Sequence, residues 1–197
     1  MGKLTGKAKN KIRKAKQNKH KLSKIRHLKK NRELIRTFND PVLKEVCQSV
    51  LKEDDLSFID DMKRVLCSTK YGVGISAPQI GITKQAFVVR FDPKVNTSTV
   101  MINPVIVKDD FVNVKAREGC LSYPGHYYKI ERPWKIEVEY FNEKFVKVKK
   151  EFIGFEARVF LHEYDHLSGK CIVGEMWESE KLDIKTSIGE QESVPVE

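Results

Sequence analysis

Apolar side chains at Phe58, Ile59, Met62, Val65 and Leu66 fall on one face of a helical wheel and predict a helix with one buried side. A second helical spacing links Phe155, Val159, Phe160 and Leu167 and predicts a helix over residues 155–168. Between the two the period changes. Gln85 to Phe91 and Val100 to Val107 are short apolar runs that read as strands. From Lys135 to Tyr140, the residues Ile136, Val138 and Tyr140 alternate with charges, the pattern of a half-buried strand. Asn142-Glu143-Lys144 then turns the chain into a partner strand through Lys149. The expected fold class is mixed α+β.

Charge divides the chain. Residues 1–32 hold 14 Lys or Arg and no Asp or Glu, so with a whole-chain charge of +10 the remainder carries −4. Apolar residues in the basic segment recur as Leu4, Ala8, Ile12, Ala15, Leu22, Ile25 and Leu28, at helical steps. The segment is expected to be a basic helix, or disordered where self-repulsion wins. Three parts are therefore expected: a basic extension at 1–32, a domain at 33–176 and a polar tail at 177–197, with a short helix at most from Glu178 to Ile188. No apolar run approaches the ~18 residues of a membrane span, and no apolar core of a secretory signal is visible. The four cysteines include no Cys-x-x-Cys and do not make a disulfide framework. Cys47 and Cys67 lie in apolar-periodic segments and are expected as core thiols.

The chemistry concentrates at His162-Glu163-Tyr164-Asp165-His166. Histidines at this spacing sit one above the other on a helix and can share one metal ion. Glu163 lies at the edge of that face, where it can serve as a general base without being a ligand. Three protein ligands with one open position would make a catalytic site. In one protease group the third ligand is a histidine six residues on, but Ile172 stands there in this chain. The residues alone leave Cys120 and Cys171 open as the third ligand. Asp165 either occupies the polar side of its helix or braces the metal site from outside, with Arg132 as its expected partner. Glu118 is either a pocket residue or a carboxylate that fixes its loop. His126 is expected to face solvent.

Three segments together resemble the peptide deformylase family. They are Gly72-Val73-Gly74-Ile75-Ser76-Ala77-Pro78-Gln79, Glu118-Gly119-Cys120-Leu121-Ser122 and His162-Glu163-Tyr164-Asp165-His166-Leu167-Ser168-Gly169, in the family's order. Asp40-Pro41-Val42-Leu43 resembles the start of the family's domain, and the likeness runs from about residue 34 to 176. Two departures stand out. Ser76 replaces the more usual alanine, a change expected to be harmless, and Leu161 stands where glutamine is more usual.

The resemblance implies mixed or antiparallel sheets around a central helix that carries the metal motif. It implies that Cys120, as thiolate, with His162 and His166 holds one divalent metal. The ion implied is Fe2+, with Zn2+, Ni2+ or Co2+ as replacements; the residues alone specify only a metal that accepts thiolate and imidazole. It implies Glu163 as the acid and base, with the Gln79 side chain and the Leu121 N–H as oxyanion donors. The substrate implied is a nascent peptide beginning with N-formyl-methionine, from which water releases formate. Val73 and Gly74 would pair with extended substrate, beside Glu118 and Gly119. Phe155, Arg158 (through its aliphatic stem), Val159 and His162 would line the side-chain pocket.

This substrate places the chain near the ribosome, and the basic extension is then expected to bind ribosomal RNA through phosphate contacts. The expected compartment is the cytoplasm, or a mitochondrion or plastid if residues 1–32 are a transit peptide. Against the transit reading stand only 3 Arg beside 11 Lys in that segment. The expected state is a monomer, with no membrane association. Two other functions compete. A zinc endopeptidase shares the histidine motif but gives no account of Cys120 or Gln79. A deformylase-like RNA-binding protein without activity would require a replaced catalytic position, and none is replaced.

Overall fold

The computed structural model describes residues 30–92, 94–95 and 97–172. Residues 1–29 of the basic extension and the tail from 177 on lie outside them, so the helices expected there do too. Two α-helices frame the fold: α1, Ser57–Ser68, and α2, Phe155–Leu167. The strands are β1 (Gly74–Ser76), β2 (Ala86–Val89), β3 (Thr99–Asp109), β4 (Asn113–Cys120), β5 (Tyr123–Pro133), β6 (Lys135–Phe141) and β7 (Lys147–Ile153). Short 3-10 turns occupy Pro41–Lys44 and Ala77–Ile80.

Five strands form one antiparallel sheet in the order β1-β2-β3-β6-β7, and among the described residues β4 pairs only with β5. Side chains of β2 show why the sheet sits between the helices. Phe87 and Val89 join Met101, Ile136, Val138, Phe152 and the α2 residues Phe160 and Leu167 in one core. Ala86 and Val88 join Ile75, Val100, Ile102 and the α1 residues Ile59, Met62, Val65 and Leu66 in another. Successive strand residues point to opposite faces, so a strand covered on both sides reads as a continuous apolar run. At the β6–β7 edge only one face is covered. There Lys135 pairs with Glu151, Lys147 with Glu139 and Lys149 with Glu137 across the outer face, and the lysines blunt the free edge of β7.

The fold is the expected α+β arrangement, with α2 lying between the large sheet and the β4–β5 hairpin. Gly154 makes the entry into α2. Its φ of 59° lies in the left-handed region, and a Cβ there would meet the Trp134 ring at 2.9 Å. Cys47 is buried, but Cys67 is exposed on the polar side of α1. Its place among apolar residues in the sequence therefore did not reflect burial. The sequence reading also passed over β1, β4 and β5.

Candidate metal centre

Helix α2 presents His162 and His166 one turn apart, with ring centroids 5.3 Å apart and planes at 80°. The end of β4 brings Cys120 against them, its Sγ 3.4 Å from His166 Nε2. Cys120, His162 and His166 offer ligand atoms that all lie within 4.8 Å of one another. Cys171 is not part of this cluster.

The donor set suits a metal that prefers thiolate and imidazole. Burial opposes ionisation of the Cys120 thiol, yet His166 and His162 hold its pKa well below the ordinary value. Burial likewise opposes charge on His162, but Cys120 and Glu118 pull its pKa well up. A thiolate beside imidazole nitrogens is a set whose protons a bound metal would displace. His166 Nδ1 is buried and has no hydrogen-bond partner among the described residues.

A buried ionic network holds the histidine face. Glu118, on β4, accepts from Arg132 Nε at 2.6 Å and Nη2 at 3.0 Å, and from Arg158 Nη1 at 2.6 Å. Its Oε2 also lies 3.0 Å from His162 Nδ1, which fixes that ring with Nε2 turned toward the cluster. Arg132 reaches on to Asp165 at 2.7 Å, so one guanidinium ties the hairpin to α2. Burial pushes the Glu118 pKa up, but the His162 and Arg132 hydrogen bonds outweigh it and bring it down to about 2.

The expectation for Arg158 changes here, and of the two alternatives for Glu118 the structure favours the carboxylate that fixes its loop. Neither Glu118 nor Arg158 lines the pocket. The Arg158 guanidinium turns away to Glu118 and the carbonyls of Ile130 and Val114. A buried guanidinium needs acceptors, and the carbonyls of β4 and β5 supply them. Glu118 fixes the hairpin instead.

Glu163 is the other buried carboxylate among the described residues. It packs against β1, where a Cβ on Gly74 would collide with the carboxylate group. The Ser76 hydroxyl reaches Glu163 Oε2 and lies 3.1 Å from its backbone carbonyl. Burial raises the Glu163 pKa, and His162, His166 and Ser76 offset only part of that rise. Gln79 is fixed at its carbonyl end by the Ser76 N–H at 2.9 Å. Its amide NH2 therefore points into the site, 3.4 Å from Cys120 Sγ and 3.1 Å from Ser122 Oγ.

These groups lie at or beside the floor of an open pocket of ≈ 710 Å³. Val73, Gly74, Gly119, Leu121, Phe155 and Val159 all line it. So does His126, which packs against Tyr123 with centroids 4.2 Å apart instead of facing solvent alone.

A sequence model of the polypeptide deformylases matches residues 33–182. The chain belongs to that family. Among the deformylase's relatives, the peptide deformylase of Thermotoga sp. strain RQ2 is 38% identical over 157 residues, 78% of this chain and 93% of that one. The crystal structure of the Thermotoga maritima peptide deformylase is 39% identical with a TM-score of 0.63, covering 71% of this chain and 93% of its own. The Plasmodium falciparum peptide deformylase is 32% identical with a TM-score of 0.72, covering 79% and 93%. A peptide deformylase from Synechococcus elongatus, solved in complex with actinonin, is 31% identical with a TM-score of 0.70, covering 79% and 84%. As a peptide deformylase, the chain is a metal-dependent hydrolase that removes the N-formyl group from nascent peptides. No helix among the described residues is long and apolar enough to cross a membrane.

Proposed function

We propose that Cys120, His162 and His166 hold one ferrous ion and that Glu163 carries the proton transfers of deformylation. The observation that carries this reading is the Cys-His-His cluster, with a buried carboxylate beside it, opening on one pocket. A divalent metal held there supplies a Lewis acid that activates water and polarises a carbonyl oxygen. Glu163 takes a proton at its carboxylate as water adds to the formyl carbon, then delivers it to the departing amine nitrogen. The C–N bond breaks, leaving formate and a free amino terminus. The Gln79 NH2 and the Leu121 N–H donate to the oxygen that gains charge. Val73 and Gly74 offer backbone groups to an extended peptide in the pocket that Gly119 and Leu121 also line. Phe155, Val159 and the His162 ring flank the space for an unbranched apolar side chain, and a flexible thioether suits a pocket of that kind.

The test is formate release from formyl-Met-Ala-Ser by protein loaded anaerobically with iron. Glu163→Ala is expected to keep its metal and lose ~10²–10⁴-fold in turnover, the usual worth of a positioned acid or base. Near-native turnover in that variant would end the assignment. The zinc and iron forms compared under air and under nitrogen identify the working ion.

The 14 cations and the absence of acidic residues in 1–32 support a reading in which this extension binds ribosomal RNA near emerging nascent chains. Its 14 cations against phosphate predict co-sedimentation with ribosomes that falls steeply with salt. Deleting residues 1–32 should abolish co-sedimentation and leave small-peptide deformylation nearly unchanged. Equal co-sedimentation of the truncated chain, or a mature chain starting near Leu34, would overturn it, the second in favour of a transit peptide.

A further inference from the structure

Ser76 stands at a place where the family more usually has alanine, and the structure gives its hydroxyl a partner. The side chain is fully buried, and its Oγ meets Oε2 of Glu163 and the Glu163 backbone carbonyl. Among the described residues the Ser76 hydroxyl is the hydrogen-bond donor to the Glu163 carboxylate, and Gly74, two residues earlier on the same face of β1, lies beside its other oxygen. The same residue also fixes Gln79, because the Ser76 N–H donates to Gln79 Oε1 at 2.9 Å.

We infer that Ser76 is a positioning residue that aims the Glu163 carboxylate at the reacting water. The inference rests on Glu163 being the proton carrier. Gly74 leaves space for the carboxylate on the pocket lining, and the Ser76 hydroxyl holds one of its two oxygens. Without that donor a buried carboxylate has no fixed orientation on this side, and its aim depends on torsions about three side-chain bonds. The hydroxyl gives this chain a contact to Glu163 that alanine could not make.

Ser76→Ala separates the two tasks of the residue. It removes the hydroxyl but keeps the N–H that holds Gln79, and alanine fits the space, as the resemblance to other family members indicates. Losing one hydrogen bond to a charged group predicts a fall in kcat of about 10-fold, with KM for formyl-Met-Ala-Ser within about twofold. Metal content should stay at the native level, because Ser76 touches none of the three proposed ligands.

A double-mutant cycle with Glu163→Ala distinguishes positioning from general support. In the Glu163→Ala background the further change Ser76→Ala should alter the residual rate by less than about twofold, since nothing is left to aim. The metal-stripped proteins should show the same non-additivity in Tm. A native kcat in Ser76→Ala overturns the inference. An equal fall in both backgrounds, or loss of metal from Ser76→Ala, also overturns it. If Glu163→Ala is itself fully active, the assignment of Glu163 fails first, which is a separate outcome.

Discussion

Glu118 is the residue whose removal should reveal most about how the site is held. Its Oε1 accepts from Arg132 Nε and Arg158 Nη1, both at 2.6 Å, and its Oε2 from Arg132 Nη2 and His162 Nδ1, both at 3.0 Å. The carboxylate side chain is 5% exposed, and the Arg132 and Arg158 side chains are 8% and 13% exposed. Solvent cannot replace the lost partner well. Breaking a buried ion pair by removing one side costs about 3–5 kcal/mol. The lower end applies here, because Arg132 keeps Asp165 at 2.7 Å and Arg158 keeps the Ile130 carbonyl at 2.9 Å. In a domain of this size about 3 kcal/mol lowers Tm by about 6–12 °C. The second consequence concerns His162, whose ring loses the acceptor that fixes its orientation. Loss of such a partner typically weakens metal affinity about 10–100-fold.

The sharper variant is Glu118→Gln. In either orientation of the amide, its NH2 would face two donors where the native oxygen accepted two hydrogen bonds. The isosteric change should therefore destabilise nearly as much as Glu118→Ala. The assay is thermal unfolding of the chelator-treated proteins, followed by competition for zinc against a chromophoric chelator. A Gln variant with native Tm and native metal affinity would refute the account of Glu118 as a fourfold acceptor.

Other outcomes follow from single contacts. Cys120→Ala should leave the purified chain with little bound metal, and full occupancy by elemental analysis would refute the ligand assignment. Gly74→Ala would drive a methyl into the Glu163 carboxylate, and displacing a positioned group by an ångström costs on the order of 10²-fold. That variant should keep its metal while formate release falls, and unchanged kcat would contradict the close approach. Burial pushes the Cys47 thiol up to about 11, so Cys47 should resist alkylation at pH 8 while exposed Cys67 reacts, as peptide mass mapping would show. Because the folded pKa is raised, the stability the neutral Cys47 thiol contributes is present below its unfolded pKa of about 8.5 and is lost as pH rises toward the folded value.

What the sequence made legible follows from how each element is buried. The helices α1 and α2 and the strands β2, β3, β6 and β7 bury apolar side chains, so their periods survive in the sequence. The hairpin β4–β5 buries charged side chains together with its apolar ones. Its β5 strand alternates buried Tyr128, Ile130 and Arg132 with exposed Tyr127, Lys129 and Glu131. Its β4 strand ends on buried Glu118 and Cys120. Charged residues on the inner face break the apolar alternation, because there the interior is an ionic network. The alternation around Tyr128 and Ile130 was the available signal, and Arg132 at the third inward position masked it. Three residues, Gly74 to Ser76, are too few for β1 to show any period. At the site, the three motif segments were plain as residue types. The direction of each side chain was not. Arg158 looked like a pocket wall because its neighbours Phe155 and Val159 line the pocket, yet one helical step is enough to turn it toward the hairpin.

Two buried carboxylates flank the same histidines, and their surroundings assign them different tasks. Glu118 sits among two guanidiniums and an imidazole, with both oxygens fully used as acceptors. It has no capacity left for a proton and no exposure to the pocket, so its task is to hold. Glu163 has one hydroxyl partner, a glycine flank and a place on the pocket lining. Burial raises its pKa where that of Glu118 is lowered. A carboxylate with an unused oxygen and no salt-bridge partner can take up a proton without breaking a network, and can release it again without reforming one. The same sequence feature, a glutamate near a metal motif, therefore yields a brace when the chain surrounds it with cations. It yields a proton carrier when the chain surrounds it with a strand edge and one serine.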